Sequence, residues 1–505
     1  MRTVERARPL AWLVAGLLAA CGAPEPPGPR LVVLYATCSL DKHFLQPHDP
    51  SVGFTPNLAA LARESVVFER HVTEAGVSGI AYASLFTGAQ ADEHGIFHHP
   101  SRLPGRMLTI FEAFGAAGWE THYFNGHKMA AAELDYAQGV APEHVYPSQA
   151  RKRDVLTAAD PDFARLLARL VAEPELRALV VVNFTVTHAA YTAQLEPEEL
   201  AAFLERHPQA SEGVTLTDLR RLGRIYEENR LPLQWDYPAT VARLGLSEAD
   251  QEELARLLRV VYRADVEILD GIVGRCRTAL EDSGLLEQTL LAFTADHGEY
   301  LFQRARPFQW GHGLQLAPEE LSVPWILRAP AGTLASGRYP GVTRSIDVFP
   351  TLAGLARVPL PAGAPVQGVD LAPVLRGEAA APVLLGPAHT KVLDERLMRE
   401  FADLALVRGL FPSMDPGLMW VAVRDGDRFA RWRNRGDGTF VHEHFDLAAD
   451  PFALTSVFDE RDPEHARLAR WLEAYKERLL AATGADRGVD ESAIEADLKA
   501  LGYVR

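Results

Sequence analysis

The sequence predicts an α/β fold, a large and mostly parallel sheet sandwiched by helices, with a smaller C-terminal α+β subdomain. Three observations point there. Continuous apolar runs at 31–35 (LVVLY), 178–184 (ALVVVNF) and 290–294 (LLAFT) have the character of strands buried on both faces. Between them, at 55–63 and 254–280, apolar residues recur three and four apart, as on helices. Strands alternating with helices give a parallel sheet covered by those helices. Near residue 375 the texture shifts to Gly, Ala and Pro, and alternating runs at 420–423 and 428–432 then read as antiparallel strands.

Taken in order, the chain opens with Arg2, Arg6 and Arg8 ahead of an apolar run, 10–20, that is short for a bilayer span. The run ends in Leu18-Ala19-Ala20-Cys21, which resembles the bacterial lipoprotein cleavage box. That resemblance implies a signal peptide over 1–20 and lipidation of Cys21, with the Pro-rich 21–30 as a tether. The main domain then covers 31–375. A short helix at 80–87 is stopped by Gly88, with Ser78 placed to cap it. Residues 195–250 are polar and helical in pattern, an insertion over the sheet. Ser247 and Asp250 form a capping box before the helix at 254–280. The subdomain over 376–505 closes with a long helix at 464–482. No later segment is apolar enough for a second anchor.

The chain has 505 residues, 48% of them hydrophobic and 23% charged, an ordinary globular composition. A net charge of -16 argues against nucleic-acid binding. Cys38 and Cys276 offer no disulfide framework, and Cys276 sits on the apolar stripe of a helix as a buried thiol.

Ligands of open α/β sheets bind at the carboxyl ends of strands, so the loops after the apolar runs carry the candidate chemistry. Asp296-His297-Gly298 offers a carboxylate and an imidazole suited to a metal, or a pair capping a following helix. Thr37-Cys38-Ser39-Leu40-Asp41 and Thr185-Val186-Thr187-His188 reach the same edge. In Gly76-Val77-Ser78-Gly79 the hydroxyl is either a helix cap or, beside a metal and a helix N-terminus, a nucleophile toward a tetrahedral anion.

From residue 31 to the end these segments resemble the sulfatase family of the alkaline-phosphatase superfamily. The likeness is carried by LVVLYATCSL, TPNLAALARESVVFERHVT (55–73), ASLFTG (83–88) and YRADVEILDGIVGRCRTALEDSGLLEQTLLAFTADHGE (262–299). It continues in WGHGLQLAPEELSVPWILRAP (310–330), SIDVFPTLAGLA (345–356), FDLAADPFALTSVF (445–458) and LKALGYV (498–504). It implies Ser78 at the nucleophile position, and Asp296, His297 and Cys38 around one divalent ion, zinc or calcium. His188 or His312 is implied as proton donor to the leaving oxygen, and His127 falls near a further family histidine. His94, His98 and His99 read as loop residues.

Two departures stand out. Thr37 and Cys38 occupy positions where the family offers carboxylates, so either a thiolate-binding ion is used, Asp41 substitutes, or the site is degenerate. Ile80 and Tyr82 stand where the family's formylglycine motif has Pro and Arg, so Ser78 reads as an unmodified serine. The expectation is a metal-dependent hydrolase of sulfate or phosphate esters, lipid-anchored in the bacterial cell envelope. Its substrate would be a small-molecule, glycan or lipid ester, with membrane contact only through the anchor. The rivals are a transferase of phosphate-containing headgroups, marked by dependence on an alcohol acceptor, and a non-catalytic binding lipoprotein, marked by absence of metal and of turnover.

Overall fold

Strands buried on two faces need apolar side chains at every position, and the three apolar runs meet that need. Leu31–Thr37 (β1) is buried throughout. The structure is a computed structural model and describes residues 28–98, 100–147, 153–193, 195–235, 237–302, 309–313, 315–390, 420–434 and 440–483. The expected signal peptide, Cys21, most of the tether, His99 and the terminal LKALGYV lie outside the described residues.

In chain order the next strands are Val66–Val72 (β2), Glu120–Asn125 (β3), Val145–Pro147 (β4), Ala178–Phe184 (β5) and Thr289–Ala295 (β6). A two-residue ladder follows, Tyr300–Leu301 (β7) with Trp310–Gly311 (β8), and then Trp325–Arg328 (β9) and Gly337–Arg344 (β10). The main sheet has eight strands in the order β10-β2-β9-β6-β1-β5-β3-β4. Only β9 runs antiparallel to its neighbours. At the centre, Thr37 of β1 pairs with Phe184 of β5 and Ala295 of β6, so three strands end level.

Alternate residues of β1 feed two cores. Leu31, Val33 and Tyr35 join a cluster under Pro56–Arg63 (α1), Pro161–Ala172 and the 35-residue helix Glu248–Asp282. Val32, Leu34 and Ala36 join another under Ser78–Thr87 (α2), Ile110–Ala116 and Ser345–Ala356. The long helix begins with the expected capping box, in which Ser247 accepts from Asp250 N. Beyond the sheet it packs against the helix Pro197–Arg206 of the expected insertion.

The long helix also caps α1. Thr55 precedes α1 but makes no cap bond. Instead Asp270 accepts from Asn57 N at 3.1 Å and Leu58 N at 2.7 Å, filling donors that the helix start leaves open.

A second sheet, antiparallel throughout, joins Gly386–His389 (β11), Val421–Asp425 (β12), Arg428–Asn434 (β13) and Phe440–Asp446 (β14). The helix Pro463–Thr483 covers it, with Leu468, Leu472, Tyr475 and Leu479 on Val421, Val423 and Ala430. The two sheets touch where His389 N donates to Glu74 O at 3.0 Å, four residues ahead of Ser78. Among the described residues no helix is long and apolar enough to cross a membrane.

Asp270→Ala should strand the buried Leu58 N–H and the half-buried Asn57 N–H and lower the unfolding free energy by about 2 kcal/mol. The thermal midpoint would drop by several degrees, and Asp270→Asn, which keeps an acceptor, should lose less. An unchanged midpoint in the alanine variant would remove the capping role.

Candidate active site

The level ends of β1, β5 and β6 bring the three expected loops together. Cys38 N donates to Phe184 O at 2.7 Å, Asp296 N to Thr37 O at 3.0 Å, and Leu40 N to His297 O at 2.9 Å. Ser39, with φ 57°, turns the first loop so that its N–H donates to Asp296 Oδ1 at 3.1 Å. His297 N donates to the same oxygen at 2.6 Å. Oδ1 is thus doubly bonded, while buried Oδ2 has no hydrogen-bond partner and lies 3.6 Å from His297 Nε2. Burial pushes this carboxyl up, but the imidazoles of His297 and His127 and the His297 N–H outweigh it and hold Asp296 below its usual range.

Gly298 is fixed by crowding. Its N–H donates to Glu320 O at 2.7 Å, and a Cβ there would stand 1.9 Å from Glu319 O. No helix follows this turn, so Asp296 and His297 are not a helix-capping pair; the next element is β7.

Ser78 is the first residue of α2, not its cap, which is Val77. Its Oγ faces His297 Nε2 at 3.1 Å and Cys38 Sγ at 3.5 Å. The first intrahelical bond is Ala81 N to Val77 O at 3.0 Å, so Ser78 stands at the positive end of the helix dipole. Gly88, with φ 64°, ends the helix as expected.

Two imidazoles meet Cys38 in opposite senses. His297 Nδ1 lies 2.9 Å from Gly298 O and must donate to it, so Nε2 presents a lone pair. His127 Nδ1 accepts from Met129 N at 3.1 Å, so its Nε2 carries the hydrogen and faces Cys38 Sγ at 3.5 Å as a donor. Sγ of Cys38, Nε2 of His127 and a carboxylate oxygen of Asp296 lie within 4.8 Å of one another. By proximity alone His127 would be a ligand. By proton placement His297, 3.9 Å from Cys38 Sγ, is the imidazole able to ligate, and His127 supports the thiol.

The donor set fits a cation. Burial and the Asp296 carboxylate push the Cys38 thiol well above its usual range, so the group lacks positive charge at its centre. A sulfur, an imidazole nitrogen and a carboxylate oxygen together suit an ion of the zinc type, whereas calcium takes oxygen ligands.

The other expected residues fall around this group. His312 packs on His297 with ring centroids 4.1 Å apart, and its Nδ1 lies 3.1 Å from Glu299 Oε2. Burial raises the Glu299 carboxyl to about 8. His188 is 5.4 Å from His312, ring to ring, and its Nδ1 donates to Ala189 O at 2.5 Å. Burial lowers His188 to about 4, so it is neutral at physiological pH.

Asp41 is not a substitute ligand. Its Oδ1 takes His43 N at 3.0 Å and His43 Nδ1 at 2.7 Å. His94 ends the short helix Ala91–His94 rather than lying in a loop, and meets Ser84 Oγ at 3.1 Å. His98 pairs with Ser101. Cys38 and Cys276 are both free, and burial raises Cys276 to about 12. Ile80 and Tyr82 are buried, with Tyr82 OH donating to Ala36 O at 3.3 Å, so apolar packing fills the positions of the missing Pro and Arg.

One positioning residue escaped the sequence reading. Asn183 accepts from Gly126 N at 2.6 Å and His127 N at 3.1 Å, anchoring the His127 loop. Its signal was a lone amide within the apolar run 178–184.

A family model described as Sulfatase matches residues 42–358. The chain belongs to the sulfatase family. Its activity class is accordingly sulfate ester hydrolysis. An ulvan-active sulfatase of Formosa agariphila is 25% identical, covering 94% of this chain and 87% of that protein. The choline-sulfatase of Rhizobium meliloti is 30% identical over 80% of this chain and 77% of its own. A phosphonate monoester hydrolase of Agrobacterium radiobacter shares the fold, with TM-score 0.58, 20% identity and coverage of 90% and 95%. So does a protein solved with its substrate D-glucosamine-2-N,6-O-disulfate, at TM-score 0.62, 17% identity and coverage of 92% and 100%.

Gly298→Ala should force the Asp296-His297 turn away from Glu319 and displace both side chains from Ser78. A displacement of about 1 Å costs on the order of 10²-fold in turnover. Steady-state kinetics together with the thermal midpoint would check this, and wild-type values for both would contradict the packing argument.

Proposed function

We propose that this sulfatase hydrolyses a sulfate ester by direct attack of an unmodified Ser78, at a site where Cys38, Asp296 and His297 hold one divalent ion of the zinc type. The observation that carries the reading is the approach of Ser78 Oγ to His297 Nε2 at 3.1 Å, beside the partnerless Asp296 Oδ2. When bound, such an ion supplies Lewis-acid polarisation of an ester oxygen and favours the alkoxide form of an adjacent hydroxyl.

The chain's own groups account for the remaining requirements. The N-terminal end of α2 turns the positive end of its dipole toward a tetrahedral anion at Ser78. His127 keeps an N–H on Cys38 Sγ, which favours the thiolate. The leaving oxygen needs a proton, and neutral His188 is poorly suited to give one. His312, held by Glu299, is the better donor, which narrows the expected choice between the two histidines. His188 then serves as a neutral polar wall of the anion site.

The substrate class is a small-molecule or glycan sulfate ester. Relatives named for choline sulfate and for ulvan support that breadth. The lipobox-like residues Leu18-Ala19-Ala20-Cys21 support placing the enzyme at the cell envelope.

On 4-nitrophenyl sulfate, Ser78→Ala and Asp296→Ala should each lower kcat by about 10³-fold or more, with one equivalent of bound metal lost relative to wild type only in the second. Near-normal turnover by Ser78→Ala would end the proposal. His312→Ala should cost about 10²-fold or more on choline sulfate, whose alkoxide leaves poorly, and much less on the nitrophenyl ester. Equal losses on both would deny His312 the donor role. Cys21→Ser should move the protein from the membrane to the soluble fraction of expressing cells, and unchanged fractionation would exclude the anchor.

A further inference from the structure

At the far edge of the main sheet a second group of metal-ligating side chains lies outside the site around Ser78. Ligand atoms of Glu120, His122 and His144 all fall within 4.8 Å of one another. Glu120 and His122 project from the start of β3, and His144 ends the one-turn helix Pro142–His144 that leads into β4. The His122 and His144 rings stack at 4.1 Å and 27°, which holds the two imidazoles side by side.

Two further observations point to a cation. The His122 side chain is 2% exposed, yet its Nε2 has no hydrogen-bond partner. Glu120 Oε2 stands 3.5 Å from it, close enough to share an ion and long for a direct bond. His122 Nδ1 meets Tyr146 OH at 3.1 Å; if Nδ1 donates there, the Nε2 lone pair faces the carboxylate, two acceptors with nothing between them. Arg169 grips both Glu120 oxygens at 2.9 Å, which orients the carboxylate and leaves lone pairs on Oε2 for another partner.

We propose that Glu120, His122 and His144 form a second metal site, separate from that at Ser78, which takes a divalent ion of the zinc type and staples β3 to β4. Two imidazoles, a carboxylate and an open fourth position suit such an ion. The site sits at the amino end of β3, whereas His127 follows its carboxyl end, on the order of 15 Å away along the strand. Its role is to fix the outer edge of the sheet, where β3 and β4 pair only from Tyr123 with Val145 to Asn125 with Pro147.

The test titrates zinc into metal-stripped full-length protein and reads bound metal and the thermal midpoint. Asp296→Ala, which removes the other site, should still bind one equivalent and gain roughly 2–5 °C from saturating zinc. Adding His144→Ala or Glu120→Gln to that background should abolish both effects, and His144→Ala alone should keep wild-type turnover. Retention of the equivalent in both double variants would overturn the site, as would an Asp296→Ala protein that binds no zinc. Failure of the Ser78 site to bind metal would appear separately, as identical stoichiometry in wild type and Asp296→Ala.

Discussion

The site depends on three backbone hydrogen bonds that lock the ends of β1, β5 and β6. Cys38 N on Phe184 O, Asp296 N on Thr37 O and Leu40 N on His297 O hold loops that are distant in sequence. In a parallel sheet the register decides where each strand stops, and here Thr37, Phe184 and Ala295 stop together. A thiol, a carboxylate and an imidazole are thereby brought to one point before any of them interacts. Their mutual chemistry follows from the pairing, and the two-sided burial of the strands makes that pairing hard to shift.

Within that frame, identical side chains acquire opposite duties from the partner on the far nitrogen. Gly298 O draws the proton of His297 to Nδ1, and Met129 N–H drives that of His127 to Nε2. One ring then offers electrons to the centre and the other a proton. Tyr82 completes the contrast with the family pattern: a buried ring 5.5 Å from the His127 ring fills space where a guanidinium would add charge. Positive charge at Ser78, the proposed nucleophile, would then come from a bound ion or from the end of α2.

The central strands and their loops were legible because two-sided burial writes a continuous apolar run into the sequence. β1, β5 and β6 match runs seen at 31–35, 178–184 and 290–294, extended by a residue or two at the ends of the first and last. The sheet margins were not legible. Glu120–Asn125 reads ETHYFN and Gly337–Arg344 reads GRYPGVTR, mixtures whose polar, Gly and Pro residues are tolerated where a strand is covered less completely. Ser78, Asp296, His297 and His188 could be named from their loops and His312 from the family resemblance, and they do converge. What could not be read was proton placement, because Met129 N and Gly298 O are backbone atoms with no side-chain signature. The open alternative that Asp41 substitutes as a ligand fails for a related reason: an acidic residue close in sequence to a ligand loop can still point away, here to cap its own turn at His43.

The bond from His389 N to Glu74 O, with the bridge of His389 to Ala75, joins the second sheet to the segment that delivers Ser78. During synthesis the Glu74–Ala75 stretch emerges hundreds of residues before its partner strand exists. Such late, long-range closure is slow relative to local helix formation. The backbone contact four residues ahead of Ser78, the proposed nucleophile, therefore closes only after the C-terminal sheet has been made.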